Sequence, residues 1–81
     1  MKNIVFVCTG NTCRSPMAEG YLKSKKPNGY KIISRGLATD GSPAALNSVN
    51  VMLEAGIDIT GHISKQMSYK DAETADVIVC M

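Results

Sequence analysis

The stretch Ile4-Val5-Phe6-Val7-Cys8-Thr9-Gly10-Asn11-Thr12-Cys13-Arg14-Ser15-Pro16-Met17-Ala18-Glu19 decides the fold. An unbroken apolar run leads into a cysteine. Five spacers later come an arginine and a hydroxyl, and then a helix start. Apolar runs without alternation belong to strands covered on both faces, as in parallel sheets. Ser15 reads as the N-cap, Pro16 as the first helical residue and Glu19 as an acid in the first turn. A strand, a glycine-bearing loop and a helix therefore follow one another, the order in which open α/β sheets place ligands at strand carboxyl ends. Backbone N–H groups of such a loop converge inward, and the helix N-terminus adds partial positive charge. Arg14 is suited to gripping two phosphate oxygens bidentately. The same field is expected to lower the pKa of Cys8, with Ser15 donating a hydrogen bond to the thiolate. Together these features describe attack by sulfur on phosphorus. The plainer alternative is a buried structural cysteine beside a helix cap.

Working outward, residues 3–8 read as the first strand and 16–26 as a helix, with Met17, Ala18, Tyr21 and Leu22 as its inward stripe. Pro27-Asn28-Gly29 is a stop signal. Tyr30 to Ser34 reads as the second strand and Gly36 to Gly41 as a loop. Pro43 opens a second helix, carried by Ala44, Ala45, Leu46, Val49, Met52 and Leu53 and closed by Gly56. Residues 57–67 read as loop, Ser68 caps a short helix from Tyr69 to Thr74, and 76–81 form a third strand. The order β-α-β-α-α-β implies a parallel sheet.

Eighty-one residues make one small domain, and 44% hydrophobic with 20% charged content suits a globular chain. A net charge of +2 implies neither a nucleic-acid nor an anionic-membrane surface. No apolar run approaches the roughly 20 residues that span a bilayer. The first residues lack a signal-peptide layout, and three cysteines do not make a secreted disulfide framework, so the expected compartment is cytoplasmic.

The stretch Val7 to Glu19 resembles the signature of low-molecular-weight protein tyrosine phosphatases. The resemblance continues at Ser34-Arg35-Gly36, Gly56-Ile57-Asp58-Ile59, Gly61-His62-Ile63-Ser64 and Ala75-Asp76-Val77-Ile78-Val79. It implies a three-layer α/β sandwich with a parallel sheet, truncated after the third strand. Residues 1–81 would be the N-terminal part of a single phosphatase domain. The family's Asp-Pro loop, which carries its general acid, and its further strand and closing helix would then be absent. An unpaired Val77-Ile78-Val79 edge is expected to make this truncated form a homo-oligomer. The expected partners are a phosphorylated protein or a phosphate or sulfate anion, with no nucleic acid, membrane or cofactor.

The resemblance assigns Cys8, Arg14 and Ser15 to catalysis, and Thr9, Gly10, Asn11, Thr12, Cys13 and Arg14 to phosphate binding. Gly10 is read as permitting the tight turn, and Asn11 as holding a left-handed conformation that Asn tolerates. In the family the matching Asn bonds to a Ser and a His, which here are Ser34 and His62. Taken alone, Ser34 is a strand-end residue and His62 an exposed loop residue. Cys13 is either a helix-start thiol or a redox partner that resolves a Cys8 sulfenic acid. A zinc pair formed by Cys8 and Cys13 lacks further ligands nearby, so no metal is expected. At Thr12 the tyrosine-specific branch typically carries isoleucine, whereas the protein-arginine-phosphatase branch resembles this chain, so phosphotyrosine and phosphoarginine both stand as substrates. Asp40 is either near the pocket mouth or a solvated loop carboxylate. Two alternatives remain. One is an arsenate reductase of the same fold, with Cys80 close to the place of its relay thiol. The other is an oxyanion-binding fragment with little turnover.

Overall fold

The computed structural model describes residues 2–81. Its elements are β1 (Lys2–Cys8), α1 (Arg14–Ser24), β2 (Tyr30–Gly36), α2 (Leu46–Glu54), α3 (Tyr69–Thr74) and β3 (Val77–Cys80). The strands form one parallel sheet in the order β2-β1-β3. Ile4 is in register with Ile32 and Cys8 with Gly36, so Ile4, Phe6, Cys8, Ile32, Ser34 and Gly36 share one face. That face meets α1, as the Cys8–Ser15 and Ser34–Glu19 contacts show. The opposite face carries Val5, Val7, Ile33 and Arg35, and α3 lies against it through an Arg35–Asp71 ion pair of 2.9 Å. α2 packs beside α1. The three layers expected from the sequence are therefore present, around a core of Val5, Val7, Ile32, Met52 and Ile59.

The element edges differ from the sequence expectation for physical reasons. Helix α1 begins at Arg14 with Cys13 in the cap position and no side-chain cap. Ser15 is not the N-cap because its hydroxyl faces the 9–13 loop instead of folding back on the helix. No acid stands in the first turn. Glu19 turns to the sheet, where it accepts from Ser34 Oγ and from Lys23 Nζ at 2.5 Å. The helix stops at Ser24, and Lys26 takes a φ of +50° just before Pro27. Tyr21 points outward, 55% exposed, with Lys25 Nζ 4.9 Å from its ring centroid. Gly20 sits where Ile57, Ile59 and Met52 come close to the helix. A Cβ on Gly20 would lie 2.7 Å from Ile59 Cγ2.

β2 runs two residues past Ser34, to Gly36. Pro43 does not open α2. Its backbone forms an antiparallel bridge with Ile63, and the helix starts at Leu46 after an Ala45 cap. Ser48 and Met52 are its buried positions, and Leu46 is 73% exposed. Gly56 closes it with a φ of +77°, as a helix C-terminus prefers. Ser68 does cap α3. Its hydroxyl accepts the Asp71 N–H while the Asp71 carboxylate accepts the Ser68 N–H, a reciprocal capping box. β3 and β2 are the edges of this sheet among the described residues, and Val77 and Ile78 of β3 are exposed. Asp76 and Asn3 exchange backbone and side-chain bonds at its start.

Asp71 thus caps α3 and also holds it to the sheet. Burial pushes its carboxyl up, but the Ser68 bonds and the Arg35 guanidinium outweigh burial and leave it below the ordinary carboxylate value. A group depressed in the folded state contributes stability above its unfolded pKa, about 3.9, and loses it as pH falls through the folded value. In urea unfolding across pH, Asp71→Asn is expected to lose part of the decline that the parent shows below about pH 4. Ser68→Ala is expected to cost about 1 kcal/mol at neutral pH. An identical acid limb in Asp71→Asn would show that the pairing carries no linkage.

Candidate active site

The end of β1 delivers Cys8 to the base of the 9–13 loop, and α1 leaves from its far side. Cys8 is buried, with Sγ 2.9 Å from Ser15 Oγ and 3.2 Å from the Asn11 N–H, which donates to it. Asn11 Nδ2 donates to the same Ser15 Oγ at 2.8 Å. Ser15 has a single hydroxyl proton. With its oxygen already accepting from Asn11, that proton is free to point at sulfur. Burial alone pushes the Cys8 thiol up. The Ser15 hydroxyl and N–H, the Asn11 N–H and the Arg14 charge outweigh it, and the pKa lies below the ordinary thiol value.

Asn11 is wholly buried and sits at φ +55°. Its Oδ1 accepts the Lys65 N–H at 2.8 Å, and its carbonyl accepts from His62 Nε2 at 2.7 Å. The neighbouring carbonyls are also taken. Those of Cys8, Thr9 and Thr12 accept from the N–H groups of Leu37, Ala38 and Ala45, and that of Cys13 from Met17. The N–H groups of Gly10, Thr12 and Cys13 have no acceptor among the described residues. A loop whose carbonyls are turned outward and whose amides are left over is built to receive an anion.

The structure brings Cys8, Asn11, Ser15 and His62 together. It does not bring Ser34 to Asn11. Ser34 Oγ donates to Glu19 Oε1, while the Asn11 carbonyl group of the side chain is already occupied by Lys65. Gly10 does not supply the left-handed turn, which falls on Asn11, and a Cβ there would meet only Thr12 Oγ1 at 3.6 Å. The close approach belongs to Gly36, where a Cβ would lie 2.2 Å from Thr39 Cγ2, 2.9 Å from Asn11 Cβ and 3.0 Å from Thr9 O. Gly36 carried a signal, as a glycine at a strand end facing the loop. The supporting N–H groups of Leu37, Ala38, Ala45 and Lys65 carried none. Arg14 opens α1, is exposed, and has no ion-pair or hydrogen-bond partner among the described residues. Cys13 and Cys80 are exposed free thiols.

Beside the loop lies an open depression of about 700 Å³, lined by Gly10, Thr12, Thr39, Asp40, Ser42 and Pro43 among others. Asp40 is therefore at its wall. Its Oδ1 accepts from the Ser42 hydroxyl and, at 3.1 Å, from the Ser42 N–H. These bonds hold its carboxyl below the ordinary value. Among the described residues no group of three or more His, Cys, Asp or Glu side chains is placed to hold a metal.

Residues 3–81 match the family described as low molecular weight phosphotyrosine protein phosphatase. The chain is 43% identical over 82 residues to the "Probable low molecular weight protein-tyrosine-phosphatase EpsP" of Ralstonia solanacearum, covering all of this chain and 56% of that protein. It is 37% identical over 81 residues to an arsenate reductase of Staphylococcus aureus, covering 99% of this chain and 60% of the relative. Among solved structures, the YwlE arginine phosphatase from Geobacillus stearothermophilus superimposes with a TM-score of 0.95 at 38% identity, over all of this chain and 53% of that one. The chain spans a little over half the length of these relatives.

The Cys8 environment sets an expected pH profile. Alkylation by iodoacetamide should rise with an inflection below the ordinary thiol pKa of about 8.5. Ser15→Ala should move that inflection upward by removing the hydroxyl donor, while Cys13→Ser leaves it in place. Mass spectrometry of the alkylated peptides separates the cysteines. A Cys8 inflection at or above the ordinary value would contradict the hydrogen-bonded thiolate.

Proposed function

The chain belongs to the low molecular weight phosphotyrosine protein phosphatase family, and from that premise we propose that it removes phosphate from phosphotyrosine or phosphoarginine in a protein through a phosphocysteine intermediate. The observation that carries this reading is the Cys8 sulfur, which accepts from Ser15 and Asn11 at the floor of a loop with outward-turned carbonyls. The thiolate attacks phosphorus in line. The S–P bond forms as the P–O bond of phosphotyrosine or the P–N bond of phosphoarginine breaks, and the electron pair departs with the leaving group. The N–H groups of Gly10, Thr12 and Cys13 hold the equatorial oxygens, the N-terminus of α1 adds its positive end, and Arg14 clamps two oxygens. Water then cleaves the S–P bond. Sulfur leaves as thiolate, stabilised by the Ser15 hydroxyl.

Asn11 and His62 act as positioning residues, because their bonds fix where the loop amides aim. Thr12 on the depression wall supports phosphoarginine as a substrate, since a short hydroxyl-bearing side chain leaves room beside the loop for a polar group. Cys13 is the candidate to condense with a peroxide-oxidised Cys8 sulfenic acid, giving a disulfide and water. The arsenate-reductase reading has less support. Cys80 is in register with Val7, so its side chain belongs to the sheet face opposite Cys8. A relay between the two thiols would have to cross the sheet. No helix among the described residues is long and apolar enough to cross a membrane.

Cys8→Ser is expected to abolish hydrolysis of 4-nitrophenyl phosphate while leaving phosphate binding measurable by calorimetry. Hydrolysis that persists undiminished in that variant would end the phosphocysteine reading. No Asp-Pro pair occurs in the 81 residues, and general acid help to a leaving group is worth about 10²–10⁴-fold. The 81-residue chain alone should therefore release nitrophenol, a good leaving group, in a burst. It should turn over a phosphotyrosine peptide far below the usual enzymatic range of about 1–10³ per second. Turnover within that range would reveal a proton donor among these residues.

A further inference from the structure

The depression beside the loop has a chemical character that the phosphate cradle does not explain. Its wall is made of small side chains, with Ala38, Pro43 and Ala45 beside the hydroxyls of Thr12, Thr39 and Ser42, and none of its lining side chains is aromatic. Among the described residues, this depression offers a phenol ring no aromatic face to stack on. One lining group is charged, and that is Asp40. Its Oδ1 is fixed by the Ser42 hydroxyl and N–H, which orients the carboxylate, and its Oδ2 has no partner among the described residues. An ionised carboxylate at the rim of an anion-binding pocket repels the incoming phosphate, and the Ser42 bonds that hold Asp40 below the ordinary carboxylate value make it a poor proton donor to the leaving group. A carboxylate there is favourable only if the substrate brings a cation directly behind its phosphate.

We propose that Asp40 is a specificity-determining residue that recognises the guanidinium of phosphoarginine, an inference that rests on the phosphatase reading above. Phosphoarginine joins phosphorus to one nitrogen of a group that keeps N–H donors and positive charge on its other nitrogens. Carboxylate and guanidinium match in charge and in planar, two-point geometry. Phosphotyrosine offers no donor and no charge at that place. Asp40 thus acts with opposite sign on the two candidate substrates. It attracts the body of one and only repels the phosphate of the other. The pair is solvent-exposed, so its effect is a few-fold and falls with added salt.

The test uses the full 81-residue chain with Cys8→Ser, to prevent turnover. Two peptides of one sequence, differing only in phosphoarginine or phosphotyrosine, are titrated by calorimetry at low salt. Adding Asp40→Asn should weaken the phosphoarginine peptide about three- to fivefold, and leave the phosphotyrosine peptide unchanged or bound more tightly. Asp40→Glu should restore the parent ratio, and about 1 M salt should remove the difference. Inorganic phosphate binding reports whether the cradle is intact, and its loss in Asp40→Asn would assign Asp40 a structural role and overturn the proposal. A ratio of the two affinities that Asp40→Asn does not lower overturns it as well, while leaving the phosphatase reading in place. A Cys8→Ser chain that binds inorganic phosphate but neither peptide overturns both.

Discussion

A phosphate cradle must keep several N–H groups aimed at one point while their own carbonyls are satisfied elsewhere, and in this chain that constraint falls on Asn11. Its left-handed backbone, at φ +55°, turns the loop back on itself. Its amide donates to the Cys8 sulfur, its side chain bridges Ser15 and the Lys65 N–H, and its carbonyl takes His62. A buried polar side chain left unpaired would cost about 1–3 kcal/mol. Every polar group of Asn11 has a partner, so this polar residue can be wholly buried. The partners come from three parts of the chain, and the sulfur, the helix start and the 57–67 segment are located with respect to one residue.

The electrostatics follow from the same economy of partners. Lys23 is paired with Glu19, and Arg35 with Asp71. Both pairs lie away from the loop, one at the α1–β2 contact and one on the opposite sheet face. Arg14 has no such neighbour among the described residues, and its charge remains available to the loop it borders. Positive potential at the cradle therefore arises from one unspent guanidinium and the end of a helix, in a chain whose net charge is only +2.

Much of this was legible from side-chain types. The apolar run, the Cys8-to-Arg14 spacing and the Ser15-Pro16 helix start announce a strand, a loop and a helix, because each uses a residue with a strong local preference. Ser68 announced α3 for the same reason. Other features were set by tertiary contacts that no local pattern carries. Pro43 looks like a first helical residue, yet the chain there is drawn into a bridge with Ile63, and the Ala45 N–H is committed to Thr12 before α2 begins. Tyr21 and Leu46 fit an apolar stripe but face solvent, while α1 meets Ile59 and Met52 at Gly20. Ser34 pairs with Glu19, and the site's most numerous supports are backbone amides, which every residue type but proline carries alike.

The Asn11 contacts with His62 and Lys65 span 51 and 54 residues of chain. Contacts so distant in sequence carry a loop-closure cost that the rest of the fold offsets. In the unfolded chain nothing holds the Asn11 and Ser15 donors on Cys8, and its sulfur is an ordinary thiol, mostly protonated at neutral pH with a pKa of about 8.5. Nucleophilicity is then a property of the assembled fold, not of the cysteine. An unfolded chain therefore carries a comparatively quiet sulfur, less reactive toward oxidants and stray electrophiles, and the reactive thiolate comes with the fold.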